Sequence, residues 1–411
     1  MAAPVPESVV EEALRTRGLG AALRLLPGEI WNRISRGELG ALPVIIGLAA
    51  IWTYFYVQDP TFLDPRNLSN LILQIAVVGT IAIGMVLVLL LGEIDLSVGS
   101  TAGLTSAILG VLLVHQGWPW WAAVGVMLLS GAAIGLFQGS WIALIGVPSF
   151  VVTLAGLLAW LGVQLHVLGR TGTVNVFEGN IAAIATTFIP VYAGWILALV
   201  LSVVFALSQL SEQARRRRAG LPAMPLVEVG LRTLGVAGIA FGVVAVLNSH
   251  NGVPTPGVIL LGLVLLFSWI TRRTKFGRYI YAVGGNAEAA RRAGINVALI
   301  RISVFTLGSS LAAVGALIAV SRTAAASTQT GGGTLLLEVI AAAVIGGTSL
   351  FGGRGTVWAA LLGALVIGSV SNGLDLIGQP ADVKFIVQGA ILLLAITIDS
   401  LSRRRLAAAG R

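Results

Sequence analysis

The sequence predicts an all-α, polytopic integral membrane protein of about twelve transmembrane helices, broken at glycine-rich turns. Three observations predict it. Of 411 residues, 56% are hydrophobic and only 10% charged, against roughly 25% charged in a soluble domain. The apolar residues fall in blocks of about 20, the length a bilayer core demands. Within stretches such as Leu71–Leu91 and Val258–Ile270, polar and apolar residues do not alternate. That argues against barrel strands and leaves helices as the backbone lipid permits.

Residues 1–40 form a polar segment of mixed charge. It lacks the basic start, apolar middle and small-residue cleavage site of a signal peptide. Within it, Ala13–Leu26 fits either an amphipathic surface helix or a disordered tail. A membrane domain spans 41–400. Its twelve apolar segments lie near 41–57, 70–91, 96–114, 119–143, 147–168, 188–209, 227–247, 256–271, 299–320, 335–350, 355–376 and 383–400, and a basic tail, 401–411, follows.

The basic residues test that count. With both termini cytoplasmic, Arg66, Arg170, Arg322 and Lys384 lie outside. The rest of the 26, including Arg215–Arg218, the Arg272–Arg292 cluster and Arg403–Arg405, lie inside, as the positive-inside rule requires. Topology and anionic membrane lipid then account for the net charge of +9, with no nucleic acid as partner. The absence of cysteine excludes disulfides and thiolate metal sites. Glycine, at 52 residues, suits close helix approach and broken helices.

The strongest polar interruption is Arg272–Asn296, RRTKFGRYIYAVGGNAEAARRAGIN. Asn286 is suited to cap a short helix. Glu288 falls in its first turn and Arg291 and Arg292 in its last, each where the helix dipole favours that charge. Gly294 supplies the stop. So short a helix does not persist alone. Two readings fit equally: a docking helix for a partner, or a solvated loop between spans.

GGNAEAARRAGINV resembles the cytoplasmic coupling loop, here 272–298, of permease subunits in bacterial ATP-driven (ABC) sugar importers of the ribose/xylose class. Gly285, Asn286, Glu288, Ala289, Arg291, Gly294 and Ile295 match its pattern. GEIDLSVGS (Gly92–Ser100) and AAAVIGGTSLFGGRGT with the run to SNGLDLIG (Ala341–Gly378) resemble the same family, in register. The resemblance implies a ten-helix permease core. Residues 188–250, with their Arg-rich loop, add a helix pair that looks like the xylose branch, as does Glu93. It implies an ATPase subunit docked on Gly285–Ile295, with ATP and Mg bound there and no cofactor in this chain. A periplasmic or lipid-anchored sugar-binding protein docks outside, and a second copy of the chain completes the pathway. Glu288 is then expected to face a basic patch on the ATPase, and Arg291 an acid or carbonyl.

Other residues are candidates for the pathway or its gates. Glu93 and Asp95 interrupt two apolar runs, where a charge at the bilayer centre costs about 2.5–3.5 kcal/mol. Asp95 reads as the cap of a helix starting at Leu96, and Ser97 beside it is a pathway candidate. Glu93 has no capping role and is the better functional candidate. Gly346–Gly355 breaks a second pair of helices, which suggests an internal repeat. No Gly-Lys-Ser/Thr follows it, so it is no phosphate loop. Pro148 and Phe150 open a helix that the resemblance puts near the pathway; an ordinary helix start explains them as well. Gln74, Gln138, Gln164, Asn372 and Gln388 are amides within spans. As a set they fit a wet path for a hydroxyl-rich solute beside Trp141 or Trp160; singly, each fits a helix–helix hydrogen bond. His115, His166 and His250 have no metal-ligand spacing and read as interfacial.

Three rivals remain. A branched-chain amino-acid permease of the related class would want features for a zwitterion. An ion-coupled transporter would want mid-membrane carboxylates. An intramembrane transferase would want a DDxxD pair, which is absent.

Overall fold

The structure is a computed structural model that describes residues 42–220 and 226–408. The expected polar segment 1–40, part of the Arg-rich loop and the last three residues of the tail lie outside them. Fifteen α-helices run through the described residues, and every expected apolar segment falls on one. α1 is Leu42–Gln58, α2 Pro65–Leu90, α3 Val98–Val114, α4 Trp120–Ser140 and α5 Ser149–Leu168. α6 is Gly179–Thr186, α7 Val191–Arg218, α8 Leu226–Asn248, α9 Thr255–Arg273, α10 Lys275–Gly285 and α11 Ala287–Arg292. α12 is Val297–Thr323, α13 Leu335–Ile345, α14 Trp358–Leu376 and α15 Ala381–Ala408. Eight helices are long and apolar enough to cross a membrane.

α2 is the centre. It is apolar all round and buried without a gap from Ile75 to Leu90, as a helix without a polar face must be. α12 crosses it antiparallel where Gly84 meets Gly308 and Ile81 meets Gly315. Lipid is as apolar as leucine, so small residues that let backbones approach do the holding here.

An inverted repeat surrounds this crossing. α12 packs on α3 and α4 as α2 packs on α13 and α14. α3 packs on α4 and α5 as α13 packs on α14 and α15. The four-helix runs α2–α5 and α12–α15 are therefore counterparts of opposite direction. The residues entering the two shorter helices share one conformation: Ser97 has φ −91° and ψ −4°, Thr334 φ −88° and ψ −8°. This corrects the sequence reading. The counterpart of the break at Gly92–Ser97 is the non-helical stretch before α13, not the one at Gly346–Gly355. Glycine spacing misled because both stretches are glycine-rich, and only packing tells them apart.

The stretch before α13 runs back along α3. Ala326 lies against Gly110, and Gly331 against Gly99 and Gly103. Such a backbone inside a membrane needs every polar group satisfied. Strand β1 (Thr173–Asn175) pairs antiparallel with β4 (Ala325–Ser327), and Gln164 Nε2 donates to the Ser327 and Thr330 carbonyls at 3.0 and 3.3 Å. α13 itself has 11 residues. At 1.5 Å per residue it is ~16 Å long, about half the hydrocarbon thickness. The span expected over 335–350 is thus a half-helix.

α7 and α8 form the expected extra pair. They pack on each other where Gly194 meets Asn248, and join the core near that end, where β2 (Phe188–Ile189) pairs with β3 (Val253–Pro254) and Val244 and Leu247 cluster with Ile72 of α2. α7 continues through Arg218, so the arginine run expected in the loop occupies its last turn, where the dipole favours cations.

Candidate functional site

α11 forms as its residues dictate. Asn286 Oδ1 accepts from the Ala289 N–H at 2.9 Å. Gly294, at φ +82°, turns the chain out of the helix. Ala290 is buried and Ile295 half-buried against the core, so Ile295 anchors the helix to its own chain. Gly285, Asn286, Glu288, Ala289, Arg291 and Gly294 are exposed. Glu288, expected to be open to a partner, already bonds Arg291 at 3.0 Å and Arg292 at 3.2 Å.

Ahead of α11 stands an element that the sequence reading missed. α10 is amphipathic, capped by Thr274 Oγ1 accepting from the Gly277 N–H. Its end is wedged into both helix breaks. A Cβ on Gly284 would stand 1.8 Å from the Leu90 carbonyl oxygen and 2.9 Å from the Gly353 nitrogen, so only glycine fits. Gly353 N–H donates to Leu90 O at 2.9 Å. Gly352, at φ +85°, lies against the Gly284 carbonyl and Gly92. The Tyr281 phenol donates to Gly355 O at 2.9 Å. Burial raises the Tyr281 pKa against the opposing pull of Arg272 and Thr271, which keeps the phenol a donor.

A side-chain tie completes this junction. Glu93 bonds Arg301 of α12 at 2.9 Å. Glu93 therefore has a side-chain partner in α12. Asp95 is the buried carboxylate, 2% exposed. It caps no helix directly, since α3 starts at Val98. Its Oδ1 accepts from the Ser97 N–H at 2.8 Å and the Ser97 hydroxyl at 2.6 Å. Ser97 Oγ meets Gln138 of α4 at 3.0 Å. Ser149 and Thr153 of α5 close the group by bonding the Ile94 backbone. Asp95, Ser97 and Gln138 are thus brought together as one buried polar group.

The other predicted residues lie elsewhere. Asn372 is buried in α14 and accepts from Asn67 Nδ2 at 2.8 Å. Gln388 of α15 donates to Glu338 of α13 and Ser371 of α14. Gln74 is half-buried on α2, and Phe150 is exposed in the first turn of α5.

A family model described as branched-chain amino acid transport system / permease component matches residues 67–396. The chain belongs to this family of permease components. The permease is 40% identical over 369 residues to the xylose transport system permease protein XylH of Escherichia coli K12, covering 90% of this chain and 93% of that one. It is 36% identical to XylH of Haemophilus influenzae over 88% of this chain and 96% of that one. It is 33% identical to the ribose import permease protein RbsC of Escherichia coli K12, over 87% of this chain and 92% of that one. No solved structure matches the permease. The matched span contains the junction, α11 and most of both halves of the inverted repeat, and the permease is a multi-pass membrane protein.

Proposed function

We propose that this permease is the membrane-spanning subunit of an ATP-driven importer that moves a monosaccharide, xylose, across the cytoplasmic membrane, with both termini inside. ATP hydrolysis belongs to a separate subunit docked on α11. A sugar-binding protein delivers the solute outside, and a second copy of the permease completes the path. The identity to xylose permeases over nine-tenths of the chain supports the solute.

One observation carries the mechanism: a single extended residue, Asn286, joins the exposed helix α11 to α10, whose end packs backbone to backbone into both helix breaks. When ATP closes the partner, a displacement of α11 moves Gly284. That moves Leu90–Gly92 and Gly352–Gly353, the hinge points of α2–α3 and α13–α14. Glu93–Arg301 couples the same motion to α12. The buried group at Asp95, Ser97 and Gln138 offers a neutral polyol hydroxyl partners within the bundle.

The test is uptake of labelled xylose, ribose and a branched-chain amino acid by proteoliposomes. These hold the permease with its ATPase, the binding protein outside and ATP at the nucleotide subunit. Xylose uptake that needs all three components supports the reading. Uptake driven by an ion gradient without ATP, or of the amino acid alone, replaces it.

A further inference from the structure

We infer that Glu338, Gln388, Ser371 and Thr334 form a second polyol-binding subsite, the inverted counterpart of the Asp95–Ser97–Gln138 group. The inference rests on the sugar-transport reading and adds a second place where the solute is held.

Each group stands at the start of a shorter helix that follows a break. Ser97 enters α3 and Thr334 enters α13 in the same backbone conformation. Each draws on the next two helices of its half. Gln138 of α4 and Thr153 of α5 serve the first group, and Ser371 of α14 and Gln388 of α15 the second. The two helices start side by side, where Gly99 of α3 lies against Gly331 and Leu336. Ser371 lies less than two turns from the end of α14 at Leu376.

The chemistry of the second group is unfinished. Glu338 Oε1 accepts from the Thr334 hydroxyl at 2.7 Å and from Gln388 Nε2 at 3.1 Å. Gln388 Nε2 also donates to Ser371 Oγ at 2.9 Å. Gln388 is 9% exposed, and its Oε1 is buried with no donor. Glu338 Oε2 likewise accepts from no group among the described residues. A buried acceptor without a donor, such as Gln388 Oε1, costs free energy unless a ligand supplies a hydrogen. A sugar hydroxyl supplies that donor. The half-helix N-terminus adds positive potential for the hydroxyl oxygens.

The experiment uses the reconstituted complex with its ATPase and binding protein, carrying Glu338→Gln or Gln388→Leu. Uptake of xylose is compared with that of deoxy analogues lacking single hydroxyls. In the wild type, one analogue should be disfavoured by about tenfold or more, because a site built to bond a hydroxyl rejects the molecule without it. Both variants should lower xylose uptake and abolish that discrimination, while co-purifying the ATPase and melting as the wild type does. Retained discrimination overturns the subsite. So does loss of transport together with ATPase binding and thermal stability in the near-isosteric Glu338→Gln, which assigns these residues a packing role. If the wild type itself moves no sugar, the transport reading fails; if it does and the variants match it, only the subsite fails.

Discussion

The Gly353 N–H donates to the Leu90 carbonyl at 2.9 Å, which joins the end of α2 to the turn between α13 and α14 backbone to backbone. Gly284 fills the only space left beside that bond. Two helix breaks and the helix leading to α11 therefore move as one body or not at all.

Gly284→Ala should separate that body. The added methyl meets Leu90 O at 1.8 Å, and neither backbone can turn aside as a side chain would. Overpacking of this kind costs about 1–3 kcal/mol. We expect a permease that inserts and binds its ATPase, melts lower than the wild type, and loses most ATP-dependent uptake. Thermal unfolding of the purified variant beside an uptake assay checks it. Unchanged values for both would show that the junction is loose.

Glu93→Gln should weaken the permease more than Asp95→Asn. Glu93 and Arg301 are paired at 2.9 Å with side chains 14% and 27% exposed, between the exposed and buried limits, so breaking the pair costs about 1–3 kcal/mol. Asn at position 95 keeps the acceptor that holds Ser97. A double-mutant cycle with Arg301→Gln should recover part of the loss, because no charge is then left unpaired. Stability that drops equally for the single and double variants would remove the ion pair from the account.

Ser211 is exposed on α7, one turn before the arginine run. Moving those arginines through lipid costs about 2.5–3.5 kcal/mol each at the helix centre. Ser211→Cys, in a chain without cysteine, should resist an impermeant thiol reagent in intact cells and react after permeabilisation. Rapid labelling in intact cells would reverse the orientation of the α7–α8 pair.

What the sequence displayed was local. Asn286, Glu288 and Gly294 spell out a cap, a first turn and a stop within nine residues, and α11 is built on them. Apolar block lengths placed the long helices. The junction was hidden because backbone atoms from three distant stretches make it, and backbone atoms leave no residue signature. The ion pair of Glu93 was hidden because Arg301 lies far along the chain. The half-helix α13 read as a span because its apolar run continues into the turn at Gly346, where only tertiary packing ends the helix. Gln388 was visible as an amide in a span, whereas its bond to Glu338 joins residues 50 positions apart.

The central claim is that α11 receives an ATPase, and one measurement tests it most directly. Glu288→Arg and the charge-swapped Glu288→Arg/Arg291→Glu permease are each expressed with the ATPase, and co-purification is scored beside sugar uptake. The swap keeps an ion pair within α11, worth about 0.2–0.5 kcal/mol to the helix, so a loss in both variants reports the partner and not the helix. Reversed charges at an interface cost several kcal/mol. The account predicts that both variants insert and melt as the wild type does, yet lose ATPase binding and uptake together. Normal ATPase binding with normal uptake in both would contradict it.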